Sequence, residues 1–460
     1  MLVAFGMIGT SLSGVTFVSV PGGVGSSNFF YFQIVLGYLL GYMVIAFVLL
    51  PLYYKLNVTS IYTYLEQRLG VSAHKIGASF FILSRVVGAT ARLYLVINIL
   101  QIFILDQLGI PFIVTAGIIL IMIMLYTFEG GVKTIIYTDT LQTSGMLLGL
   151  VVCILAIIKG LGTDFLGALH MIKDKGYTKI FNTDVKSGSF FLKHIIGGMF
   201  IAIAMTGLDQ EMMQKNISVA KLRDSQKNII SFTLVLMIVN FLFLFLGGIL
   251  NLYAAKTGLT VAPDDLFPTI ALHGNFSPAI SVLFIIALVS ALFPSVDGAI
   301  TSLTSCFCID ILAINQSNKD ESKKKKTRLI VHFSFAILFF MMVLLFKAIN
   351  DKLIIDFILK MAGITYGPLL GLFSFGILTQ RKLKEKLISW VCLISPLLTL
   401  VVDLFSNPEW YEKKLHIQLH ISEVSKAIFN GYIIGNELIL INGIFTFVGL
   451  YFISISSKKD

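Results

Sequence analysis

Charge is scarce in this sequence: Asp, Glu, Lys and Arg make up 13% of its 460 residues, against roughly 25% in soluble proteins. That shortage excludes a water-soluble fold of this size. A single membrane anchor is excluded as well, because hydrophobic residues reach 56% and run from end to end. Catalytic signatures are also lacking. There is no GxSxG, HExxH or phosphate-loop pattern, so enzymatic chemistry has no visible carrier. Cysteine is sparse, and Cys153, Cys306, Cys308 and Cys392 all lie in apolar runs, which implies no disulfide framework. The net charge of +10 fits basic cytoplasmic loops and gives no support to nucleic-acid binding.

What the sequence has in abundance is long apolar runs. They lie near 2–20, 29–54, 76–105, 111–127, 134–160, 189–208, 229–253, 278–311, 329–349, 353–379, 388–406 and 432–456. A span needs about 20 residues, so the expected fold is an all-α polytopic membrane protein of about twelve transmembrane helices. The largest connections, 161–188 and 407–431, have room for short surface helices. If the chain starts in the cytoplasm, the inward loops carry Lys55, Arg68, Lys75, Lys133, Lys215, Lys221, Arg223, Lys227 and the Lys319–Arg328 cluster. The outward loops carry fewer bases, so both termini are expected to be cytoplasmic. Met1–Gly22 lacks a basic leading region and reads as mature protein rather than a signal peptide.

Several runs are interrupted by polar groups. The first holds Gly9-Thr10-Ser11-Leu12-Ser13-Gly14, then Thr16 and Pro21-Gly22. Such a stretch can unwind and turn its carbonyls toward a cation, or its small residues can simply let helices approach. The eighth run carries Ala291, Ser295, Gly298, Ser302 and Ser305 on one helical face, beside Ser290, Pro294, Asp297, Thr301 and Thr304. An intramembrane carboxylate costs at least about 2.5–3.5 kcal/mol, so Asp297 needs a partner, water or a proton. Pro294 has no N–H to give the Ser290 carbonyl. A freed carbonyl, hydroxyls and a carboxylate make a hard-oxygen setting for a small cation. The alternative is a kinked helix with Asp297 buried and protonated.

In the fifth run Asp139, Gln142 and Thr143 share a face, with Asp139 about 9 Å from the inner end. It either guards a cytoplasmic exit or sits in the headgroup zone. Arg85 and Arg92 lie seven residues apart in the third run. They suit a carboxylate clamp or a structural ion pair with Asp139. Lys360 precedes Gly363-Ile364-Thr365-Tyr366-Gly367-Pro368, which marks a hinge, a gate or a plain kink. His416 and His420 have helical metal spacing but no obvious third ligand.

Taken jointly, several stretches resemble the sodium:solute symporter family, whose members include sugar, sialic acid, proline and pantothenate carriers. They are Gly9–Phe17, Gly130-Gly131-Val132-Lys133 leading into Tyr137–Gln142, Thr206-Gly207-Leu208-Asp209-Gln210, Asp265-Leu266-Phe267-Pro268, Ala291–Leu312 and Thr365–Leu369, in family order over most of the chain. The resemblance implies a LeuT-type core of two inverted five-helix repeats, 1–160 and 189–379. The loop 161–188 would be extracytoplasmic, and 380–460 would add two C-terminal helices. It implies a main sodium site on the carbonyls of Gly9 and Leu12, with Ala291, Pro294 and Ser295 opposite. Pro294 stands where a hydroxyl is usual. A second site in some members matches Asp139, with Pro294, Asp297 and Gly298 at its serine positions. Family members usually carry one more helix before this core, so either the lineage has lost it or the true start lies upstream.

The implied activity is sodium-coupled symport of a small organic solute (sugar, amino acid or carboxylate) by alternating access, with Na+ as coupling ion and no organic cofactor. Asp297 and the Ser290 carbonyl are expected to replace the lost hydroxyl around the ion. Ser11, Ser13, Thr16, Arg92, Thr365 and Tyr366 are the candidates for solute binding and gating, and an Arg92 facing the cavity favours a carboxylate. Proton coupling through Asp297 and Asp139, or a transporter-like solute sensor, are the alternatives. The expected partners are the solute, Na+ and membrane lipids, in a bacterial inner (plasma) membrane.

Overall fold

A computed structural model describes every residue except 1, 57–59, 128–131, 275, 315–319, 350–353, 416–419 and 456–460. The pair Gly130-Gly131 and the spacing from His416 therefore lie outside the described residues. Backbone polar groups in lipid must bond within their own segment, and the apolar runs accordingly fold as helices. Seven are long and apolar enough to cross a membrane: Tyr31–Leu56, Val71–Leu108, Tyr137–Leu161, Leu222–Thr257, Pro278–Ile311, Glu321–Ala348 and Glu385–Ser406. Three further crossings are bent pairs. Val3–Ser11 meets Gly14–Ser27 at 56°, Phe191–Gly207 meets Gln210–Ile217 at 68°, and Ile354–Thr365 meets Gly367–Leu378 at 45°. With the shorter apolar helices Phe112–Leu125 and Leu438–Ile453, they follow the order of the expected runs. They are numbered below after the expected runs, first to twelfth span, although the fourth and twelfth, Phe112–Leu125 and Leu438–Ile453, are shorter than a full crossing.

The sixth span departs from expectation. The apolar run ends near residue 208, which placed Lys215 in an inward loop; instead a second half-helix, Gln210–Ile217, continues inside the protein, and Lys215 is only 2% exposed. The physical reason is a cap. The Asp209 carboxylate accepts the Met212 N–H at 3.0 Å and starts a new helix where hydrophobicity stops. Tyrosines satisfy the carbonyls freed at this break: Tyr53 donates to Gly207 at 2.9 Å and Tyr62 to Leu208 at 2.8 Å.

The break in the first span is not sealed in that way. Its last helical bond runs from Leu12 N–H to the Ile8 carbonyl at 2.7 Å, and Phe17 N–H next reaches back to Ser13 at 3.0 Å. Among the described residues the carbonyls of Gly9, Thr10, Ser11 and Leu12 accept no main-chain hydrogen bond. These are the orphan acceptors of a helix end, held at membrane depth.

Both long connections carry surface helices, Phe165–Asp174 in the first and Pro408–Leu415 and Ser422–Phe429 in the second. A further one, Pro263–His273, links the seventh and eighth spans. Proline at its start with Asp264 and Asp265 in its first turn favours a helix N-terminus there. It lies hard against the Gly14–Ser27 half of the first span, where any Cβ at Gly22 would collide with the Pro263 carbonyl. The Asp264 carboxylate also accepts the Ile354 N–H at 3.2 Å, fastening the helix to the start of the tenth span.

Candidate functional site

The first, fifth and eighth spans meet at Gly9. A side chain there would collide with Thr143, while the Asp139 carbonyl and the Pro294 ring lie just beyond. Absence of a Cβ thus lets the open carbonyls approach the eighth span. Leu12, Ala291, Pro294, Ser295 and Asp297 are all buried around this crossing. The Ser295 hydroxyl donates to Leu292 at 2.9 Å, leaving its lone pairs available. Asp297 is fully buried; one carboxylate oxygen accepts the Gly298 N–H, and the other has no partner. Ser290 stands apart, its hydroxyl packed against Gly145 on the fifth span rather than at the break.

A buried charge cluster adjoins this crossing. The Lys215 ammonium lies 2.7 Å from Thr10 Oγ1, 2.8 Å from Asp139 Oδ2 and 2.9 Å from Glu211 Oε1. Arg85 pairs with Glu211 and lies 3.6 Å from Asp209. The expected Arg85–Asp139 pair is therefore not formed. Arg85 meets the carboxylates of the second half of the sixth span first, and Lys215, one turn beyond Glu211, reaches Asp139 instead. Asp139 is fully buried in the protein interior. Sequence reasoning missed Asp209, Glu211, Lys215 and Thr10. The readable signal was a charge pair at i and i+4, Glu211 and Lys215, directly after an apolar run.

Beside the first break lies a cavity of about 100 Å³, bordered by Ser11, Ser13, Thr16 and Arg92 and by Tyr31, Tyr38 and Tyr42. The tyrosines, spaced by seven and four, share a face of the second span, a pattern left unread in the sequence. Arg92 makes no hydrogen bond or ion pair among the described residues. A second cavity of about 290 Å³ continues to the connecting segments at Gly188, Ser189, Gly435 and Asn436. The two share Tyr31, Ile355 and Leu359, which form the constriction between them. Thr365 and Tyr366 do not border the central cavity. The Thr365 hydroxyl is spent on the Met361 carbonyl at 2.7 Å, and Tyr366 is buried at the 45° bend.

Apart from one short antiparallel strand pair, Lys382–Leu383 with Ser454–Ile455, where all-α was expected, the regular elements of the described residues are helices. Such a membrane protein with open carbonyls at a broken span beside a polar cavity has the architecture of a secondary transporter. The fold is similar to that of a Na+-coupled sialic acid symporter solved in a substrate-bound outward-open state, with a TM-score of 0.78 at 20% identity over 98% of this chain and 88% of that one. It is also similar to MHP1, a nucleobase-cation-symport-1 family transporter, with a TM-score of 0.57 at 12% identity over 98% and 91% of the two chains. Among curated proteins, the sodium/sialic acid symporter SiaT of Proteus mirabilis is 25% identical over 81% of this chain and 75% of its own. The human sodium-coupled monocarboxylate transporter 1 is 26% identical over 82% and 62%. Residues 1–386 match the sequence model of the sodium:solute symporter family, and the chain belongs to that family. It is a multi-pass membrane transporter that couples solute movement to Na+.

Proposed function

We propose that the solute is a small carboxylate, bound by Arg92 in the central cavity while one Na+ lies between the first and eighth spans. The observation that carries this reading is Arg92 itself, a guanidinium bordering the central cavity with no hydrogen bond or ion pair among the described residues. A charged arginine lining a cavity within the membrane favours an anion, and its planar fork matches a carboxylate at two points. The tyrosine hydroxyls of Tyr31, Tyr38 and Tyr42, with Ser11, Ser13 and Thr16, supply hydrogen bonds for the rest of the molecule. Drug-sized ligands occupy roughly 300–1,000 Å³. A cavity of about 100 Å³ therefore favours a short monocarboxylate over a bulky sugar acid.

The sodium shell is proposed to comprise the carbonyls of Gly9, Leu12 and Ala291, with Pro294 contributing its carbonyl only. Ser295 Oγ and the free oxygen of Asp297 complete it, Asp297 making good the hydroxyl that Pro294 cannot provide. Ser290, expected to lend its carbonyl to the shell, stands apart against Gly145 and is left out of it. The ion would brace the unwound segment that also borders the solute cavity, so each ligand improves the site of the other. The bend at Thr365 and Tyr366 is proposed as a gate hinge. Segments 1–160 and 189–379 are proposed as the inverted repeats, a division supported by the placement of a break in the first span of each; 161–188 is then the outer loop, 380–460 the added helices, and both termini cytoplasmic.

The test is a binding and counterflow screen of the purified protein in liposomes. Short monocarboxylates, sialic acid, their amides and neutral sugars would be compared with and without Na+. Sodium-dependent counterflow of a short carboxylate, but not its amide, is the expected result. Equal binding of acid and amide would remove Arg92 from its role, and binding without counterflow would point to a sensor.

A further inference from the structure

Four carboxyl groups, those of Asp139, Asp209, Glu211 and Asp297, are buried around the two breaks, none more than 5% exposed. Three of them touch a fixed cation: Asp139 touches Lys215, Asp209 lies beside Arg85, and Glu211 touches both. Among the described residues Asp297 alone of the four has no ion pair; one of its oxygens accepts the Gly298 N–H and the other, like Asp139 Oδ1, has no hydrogen-bond partner. The three oxygens around the Lys215 ammonium, one hydroxyl and two carboxylates at 2.7–2.9 Å, form a donor set that suits a hard monovalent cation. They come from three different spans: Thr10 from the first, Asp139 from the fifth and Glu211 from the sixth. The chain therefore carries, beside the Asp297 crossing, a second cation position already filled by its own side chain.

We infer that Lys215 is a tethered cation that takes the place of a second coupling ion, so that this transporter moves a single Na+ with each solute molecule. The inference rests on the sodium-coupling reading and deepens it by setting the stoichiometry. An ammonium on a four-carbon stem supplies Asp139 with its countercharge through the whole cycle and is never released. Only the Asp297 crossing exchanges its ion with solution. Removing the Lys215 charge leaves Glu211 paired with Arg85 but Asp139 without a countercharge beside Thr10, an arrangement that favours a cation from solution.

The experiment measures the ratio of 22Na+ to labelled carboxylate taken up by liposomes holding the full chain, together with the Na+ titration of uptake. The unaltered protein is expected to move one Na+ per solute with a Hill coefficient of about one. Lys215→Met is expected to move two, with the coefficient rising above one. Lys215→Arg, which keeps the charge, is expected to stay at one. The double variant Lys215→Met with Asp139→Asn removes both charges and is expected to return the ratio to one, whatever its rate; it also serves if the single variant does not fold. Two sodium ions per solute in the unaltered protein would overturn the inference while leaving sodium coupling intact. Uptake by the unaltered protein that ignores Na+ altogether would sink the coupling reading, and this inference with it.

Discussion

At the residue scale the site is a sorting of buried charges by reach. Arg85 and Arg92 sit on one helix seven residues apart and both border the central cavity, yet Arg85 is taken up by Asp209 and Glu211 while Arg92 has no ion pair among the described residues. A hydrogen bond to a charged group is worth about 1.5–3 kcal/mol, so Arg92→Gln is expected to weaken carboxylate binding by roughly one to two orders of magnitude. The affinity for the matching amide should hardly move. Isothermal titration against acid and amide makes the comparison, and parallel losses would show a merely structural role. Asp297 offers a second test. Asp297→Asn keeps the shape and removes the charge, and uptake by that variant is expected to lose its sodium dependence. Unchanged dependence would place Asp297 outside the ion shell.

At the scale of elements, the two broken spans differ in how their open carbonyls are treated. Tyrosine hydroxyls close the sixth, whereas the first keeps its acceptors facing the eighth span. A further fastening is the Pro263–His273 helix, which clamps both the first span and the start of the tenth. Ile355 and Leu359, which narrow the path between the cavities, lie within the turn and a half after the residue that Asp264 holds, Ile354. Burial pushes the Asp264 carboxyl up to about 7, against a lowering by Ser19 and the Ile354 N–H, with Asp265 and Asp356 adding to the rise. An undocked Asp264 would return to about 3.9, so the docked form binds its proton more tightly. Docking is thus strongest in acid, weakens as pH rises from about 4 through 7, and levels off above that. Hydrogen exchange in residues 263–273, corrected for its intrinsic pH dependence, should show greater protection below neutrality than above. Asp264→Asn should abolish the difference, and equal protection across the range in the unaltered protein would refute the clamp.

For the whole molecule, one Na+ travelling with one carboxylate carries no net charge. A membrane potential is worth about 2.3 kcal/mol per charge per 100 mV, and none of that would be available to such a cycle. The sodium gradient alone would drive it, contributing about 1.4 kcal/mol per tenfold ratio. Uptake of the carboxylate into liposomes is therefore expected to ignore a potassium diffusion potential, and Lys215→Met to become sensitive to it. A clear response of the unaltered protein to potential would contradict the one-to-one cycle.

The order of the spans, a break within Gly9–Gly14, which falls at Leu12 and Ser13, and the buried acid at Asp297 were legible because each depends on local composition. Apolar length dictates a crossing, and a cluster of glycine, serine and threonine at membrane depth weakens a helix wherever it lies. Lys215, Glu211 and Asp209 were not legible in the same way. Hydropathy placed them in a loop, and only a folded chain shows that Asp209 caps a second half-helix that returns them to the interior. The partner of Asp139 was misassigned for a related reason: two bases lay within plausible range in sequence terms, and which one arrives depends on helix crossings. Composition and periodicity thus determined the membrane fold, its spans and its weak points, because those follow from the cost of exposing backbone and charge to lipid. Tertiary structure alone decided which buried charge answers which, because ion pairing turns on distances of a few ångströms between spans far apart in the chain.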